Sequence, residues 1–131
     1  MEKTYTVTIN WSSRPLRAIE KSIIKTGIDS FESITEAVKD GERLRIDEID
    51  YAAIVQVHNE NAKRDTDYSL IVIKQKDGIT YKTGSASFIR TFEAIWDDIL
   101  EMEEDEKWAL LCYSKKSKNY DGDFVTCALT E

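Results

Sequence analysis

The stretch SASFIRTFEAIWDDILEMEEDE, residues 85–106, decides the fold. Phe88, Phe92, Ile95, Ile99 and Met102 recur at steps of three and four, and Ile89, Trp96 and Leu100 widen the stripe. That is the period of an amphipathic helix. Ser85 or Ser87 stands where a cap is wanted, because a hydroxyl there accepts an N–H that the first turn leaves unpaired. A stripe this broad needs a sheet to lie on.

The flanking segments supply one. Upstream, YSLIVIKQ is dense in branched residues, and Asp77-Gly78 turns it into ITYKTG, a strong hairpin signal. Downstream, WALLCYS and DFVTCALT read as strands joined by KKSKNYDG. Further back, ERLRI and YAAIVQVH are strand candidates, followed by the polar loop NENAKRDTD. At the N-terminus KTYTVTINW alternates, with Tyr5, Val7, Ile9 and Trp11 expected on one side. SSRPLRAIEKSIIKTG reads as a helix capped by Ser12 or Ser13, with Pro15 in its first turn and Gly27 past its end. Its apolar stripe is Leu16, Ile19 and Ile23, with Ile24 beside them. DSFESITEAVKDG is expected to be a second short helix, with Asp29 and Glu32 as a capping box and Phe31, Ile34 and Val38 buried. Layer logic gives an α+β fold: a mostly antiparallel sheet of about five to six strands with three helices on one side, the longest packed across one face.

A chain of 131 residues is expected to form a single compact domain, 1–131. With 41% hydrophobic residues it needs no metal or disulfide staple. Its two cysteines, Cys112 and Cys127, are too few for a disulfide scaffold. They could stand opposite one another in the last hairpin as small core residues. Neither a basic-plus-apolar signal segment nor a run of 18 apolar residues is visible, so a cytoplasmic location with reduced thiols is expected.

The formal charge of −7 is unevenly placed. Residues 1–28 carry five basic and two acidic groups, whereas residues 29–50 carry three basic and eight acidic. Residues 97–106 hold seven acids and no base. Such a field disfavours direct binding to nucleic acid or an anionic membrane and favours a basic protein surface. Acidity for solubility alone is the plain alternative.

Motifs for chemistry are missing. Zinc wants cysteine and histidine at set spacings, and His58 is the only histidine. The pairs Glu32 with Glu36 and Asp97 with Glu101 suit solvated helix faces better than a hard-cation site. His58 could act as a base, but no nucleophile elbow accompanies it. Gly84-Ser85-Ala86-Ser87 lacks the further glycines and lysine of a phosphate loop. No catalytic residue, metal or cofactor is therefore assigned, and an enzyme is not expected. Two small basic loops, Lys63-Arg64 and Lys115-Lys116-Lys118 with Tyr113 and Tyr120, do not outweigh the total field.

What stands out is the acidic run itself. Carboxylates at a helix C-terminus cost about 0.3–1 kcal/mol each, and like charges at i,i+4 a few tenths more. A stability cost without local compensation is what a functional surface shows. The segment ITYKTGSASFIRTFEAIWDDILEMEEDEKW resembles small acidic proteins encoded by phages and mobile elements of Gram-positive bacteria, among them Cas9-inhibiting anti-CRISPR proteins. The likeness lies in a return strand, a Ser-capped helix with Phe88, Ile89 and Phe92, then acids and a tryptophan. It implies a DNA mimic that blocks a basic nucleic-acid-binding host protein, and it implies Asp97, Asp98, Glu101, Glu103, Glu104, Asp105 and Glu106 as contact residues. Asp29, Glu32, Glu36 and Asp40 are a candidate second acidic face. The alternative is an adaptor or homo-oligomeric structural protein, with a homodimer as the simplest form, anchored by the aromatics Trp11, Trp96, Trp108 and six tyrosines. A small enzyme with an acidic site near His58 is the third reading.

Overall fold

The computed structural model describes residues 5–60, 66–116 and 123–131. In chain order the elements are β1 (Tyr5–Ser12), α1 (Ala18–Gly27), a 3₁₀ turn (Ile28–Ser30), β2 (Glu32–Ser33), α2 (Ile34–Ala37), a second 3₁₀ turn (Lys39–Gly41), β3 (Leu44–Ile46) and β4 (Ile49–Asn59). Then follow β5 (Thr66–Gln75), β6 (Thr80–Thr83), α3 (Ala86–Glu101), β7 (Ala109–Lys116) and β8 (Asp123–Thr130). The fold is α+β, as the pattern of the sequence implies. The strands divide between two sheets, ordered β1-β4-β5-β6-β2 and β3-β7-β8. All pairings are antiparallel except β2 with β6. Lys63, Arg64, Lys118 and Tyr120, read above as basic loops, lie outside the described residues.

The five-stranded sheet is buried on both faces, because β4 and β5 carry apolar residues at both parities. Ala52, Ile71 and Ile73 face a core shared with Phe88 and Phe92 of α3 and with Ile46, Leu110, Cys112 and Cys127 of the smaller sheet. Tyr51, Ala53, Val55, Val57 and Val72 face the other way, onto Ile24 of α1 and Ile28. Helices therefore lie on both sides of the sheet, not on one.

Trp11 departs from the expected alternation. Ile9 pairs with Val55 but Trp11 pairs with Ile54, so one extra residue is inserted between them. Such a bulge turns the following side chain to the opposite face. Trp11 leaves the side of Val7 and Ile9 and meets Trp96 and Phe92 edge-on, with ring centroids 5.4 and 6.3 Å away.

The first helix also differs. It begins at Ala18, so Pro15 precedes it, and its buried residues are Glu20 and Ile24. Ile19 and Ile23 are 56% and 46% exposed. Rotation of this helix is set by charge: Glu20 accepts two bonds from the Arg14 guanidinium, at 3.0 and 2.7 Å, and one from the Arg17 backbone N–H at 2.8 Å. Arg14 also reaches Asp50 at 2.9 Å. Hydrogen bonds from Arg14, then from Arg17, hold the Glu20 carboxyl down to a pKa of about 2. A buried carboxylate this well partnered belongs inside, and it carries its helix face with it.

The second helix is shorter than expected. Asp29 lies in a 3₁₀ turn and Glu32 in β2, so the two form no capping box, and Glu32 and Glu36 share no helix face. Ser33 is the cap, accepting from Glu36 N. Cys112 and Cys127 stand directly opposite in the β7–β8 ladder, both buried and free. Among the described residues no helix is long and apolar enough to cross a membrane.

Candidate acidic interface

Helix α3 is held at its start by Ser85. Its hydroxyl oxygen accepts from Phe88 N at 3.3 Å, and the same hydroxyl donates to the Val125 carbonyl at 2.9 Å. Phe88 and Phe92 are fully buried, and Trp96 stacks on Phe92 at 5.7 Å. With that side fixed inward, Asp97, Asp98 and Glu101 are turned to solvent in the last turns. The helix then stops, because Met102 takes an extended conformation (φ −69, ψ 141). Glu103–Glu106 are not helical, as the apolar period had suggested, but form a turn closed by Glu106 N to Glu103 O at 3.0 Å. Glu101 and Asp105 are thus not an i,i+4 pair.

All seven carboxylates are exposed. Among the described residues, none forms an ion pair with a lysine or arginine. No basic residue occupies the last turn of α3 either. Among the described residues the ion pairs that lysine and arginine do form lie elsewhere: Arg14 with Glu20 and Asp50, Arg17 with Glu20, Lys39 with Glu36, Arg45 with Asp47.

The turn after α3 borders an open cleft of about 870 Å³ between the two sheets. Glu104, Asp105 and Glu106 line one wall. Asp47 and Glu48, between β3 and β4, and Asp77, in the β5–β6 turn, line the other. Lys76 N to Glu48 O at 2.9 Å ties these last two segments together. Ile49 and Trp108 supply apolar lining, and Arg45, Lys76 and Lys107 are the cations. Sequence reasoning missed Asp47, Glu48 and Asp77; the acidic excess of residues 29–50 was the only trace of the first two, and Asp77 was read only as a hairpin turn.

Of the second acidic face, Glu36 and Glu32 lie away from this surface. Glu36 pairs with Lys39 at 3.2 Å. Its neighbour Thr35 meets Thr83 at 3.0 Å, and Thr83 in turn accepts from Ser85 N, at the start of α3. The acidic run lies at the other end of that helix, about 20 Å away at 1.5 Å per residue. Glu32 sits on β2 at the sheet edge.

Trp11 and Trp96 pack against the core and Trp108 lines the cleft. His58 Nδ1 lies 2.6 Å from Asp67 Oδ1 on the neighbouring strand, and its Nε2 is 3.8 Å from Glu60. Among the described residues no three potential ligands gather as a metal site. No protein-family model, curated protein or solved structure matches this chain.

Proposed function

We propose that this chain is a binding protein whose acidic surface occupies the nucleic-acid site of a basic protein. The observation that carries the reading is the set of seven exposed carboxylates from Asp97 to Glu106, which have no cationic partner among the described residues. Asp97, Asp98 and Glu101 fall within a helical rise of about 6 Å, or about one charge per 2 Å. Duplex DNA carries about one per 1.7 Å. A cleft shaped for phosphates by arginine and lysine therefore meets a familiar charge density, and long-range attraction speeds the encounter. A CRISPR effector is the target that the resemblance in sequence singles out.

The test is capture from a lysate enriched in nucleic-acid-binding proteins, at low and high salt, with wild type and an Asp97→Asn/Asp98→Asn/Glu101→Gln/Glu104→Gln variant. The reading expects a basic partner held at low salt by wild type and released by the variant. Equal retention by both proteins contradicts it.

A further inference from the structure

Four strands end the two sheets: β1 and β2 in the larger, β3 and β8 in the smaller. Three of them are guarded. β2 is two residues long and β3 three. β8 has α3 packed against it, with the Ser85 hydroxyl on its Val125 carbonyl. β1 is different: YTVTINWS is eight residues with no charge and no proline, in a chain that is 33% charged. Edge strands are ordinarily protected by such residues, because their outer N–H and C=O groups are a template for another strand. Among the described residues no strand pairs with the outer side of β1. Its first five residues run in regular register with β4, before the bulge.

Those five residues are also self-complementary. Laid antiparallel on itself about Val7, the segment Tyr5-Thr6-Val7-Thr8-Ile9 sets Val7 against Val7, Thr6 against Thr8 and Tyr5 against Ile9. Aromatic with branched and threonine with threonine are favourable cross-strand pairs. We propose that two copies of this chain join through β1 across a two-fold axis, making one ten-stranded sheet. That axis stands perpendicular to the sheet and preserves its faces. Both α1 helices, which pack beside β1 and expose Ile19 and Ile23, then lie on the same face. The joint is isologous, so it closes at a dimer. It uses none of the acidic residues and stands whether or not they bind a partner.

Sedimentation velocity over a wide concentration range tests it, with Thr6→Lys/Thr8→Lys and Thr6→Glu/Thr8→Glu variants. Thr6 and Thr8 are exposed and face His58 and Gln56 within the chain, so the monomer should tolerate both changes. Circular dichroism checks that it does, and either variant alone is sufficient for the reading. Wild type is expected to dimerise. Each variant opposes like charges at both Thr6–Thr8 contacts and should raise the dimer Kd by about tenfold or more. An equimolar mixture of the two should recover a dimer tighter than either variant forms by itself. A wild type that stays monomeric up to about 1 mM, or a dimer indifferent to both variants and to their mixing, overturns the proposal.

Discussion

Neutralising the end of α3 should stabilise the protein. Asp98 and Glu101 lie in the last helical turn, where the helix dipole opposes negative charge, and no base offsets them. Each costs about 0.3–1 kcal/mol, and the Asp97–Glu101 pair at i,i+4 adds about 0.2–0.5. Replacing the three by Asn, Asn and Gln preserves shape and removes charge, so a gain of about 1–2 kcal/mol follows. For a chain of this length that raises Tm by roughly 3–6 °C per kcal/mol. Urea unfolding followed by circular dichroism reads it, first near 0.01 M salt, where the screening length is about 30 Å, and then near 1 M, where it is about 3 Å. The gain should shrink towards zero at high salt. Glu36→Gln is the control, since it breaks the Lys39 pair and should give no gain. A triple variant no more stable than wild type at low salt, or less stable, refutes the argument that these charges are uncompensated.

Three further outcomes are expected. Trp11→Ala removes the ring wedged against Phe92 and Trp96 and should cost about 2–4 kcal/mol in urea unfolding; a cost under about 0.5 contradicts the bulge's role in turning that ring inward. Glu20 titrates near 2 in the folded chain against an ordinary 4.5. A depressed carboxyl contributes stability above its unfolded pKa and loses it as pH falls through the folded one. The urea midpoint should therefore drop between pH 4.5 and about 2, and this component of the drop should be absent in Glu20→Gln. Burial pushes the Cys112 thiol up and that of Cys127 up to about 12, so neither should react with an alkylating reagent at neutral pH until denaturant is added. Rapid labelling of the native protein speaks against the packing of β7 on β8.

Much of this was legible in the residues, and the rest failed for identifiable reasons. Helix α3 could be read because its apolar period is long, but its end could not. Leu100 and Met102 continue the period, while the actual stop is set by the turn at Glu103–Glu106 that delivers Trp108 to the start of β7. The alternation of β1 was plain as far as Ile9; the bulge that redirects Trp11 leaves no local mark. For α1 the apolar stripe favoured Ile19 and Ile23, yet the Arg14–Glu20 contact rotates them outward, and period analysis gives a buried glutamate no weight. The split into two sheets rests on β3 finding β7, a pairing of three residues with β4, β5, β6 and α3 between them in the chain. On the acidic side, exposure of Asp97, Asp98 and Glu101 followed from helical spacing. The approach of Asp47, Glu48 and Asp77 depends on how two sheets meet, which no short stretch encodes.

Everything proposed about function turns on whether this surface and nucleic acid compete for one site. The direct measurement is displacement: the captured basic protein is held on immobilised wild-type chain at low salt, and short duplex DNA is titrated in. The account expects DNA to release the protein in proportion to its occupancy, and expects saturating chain to release the protein from DNA in the reverse experiment. Simultaneous binding of both, with a ternary complex at saturation, would contradict it.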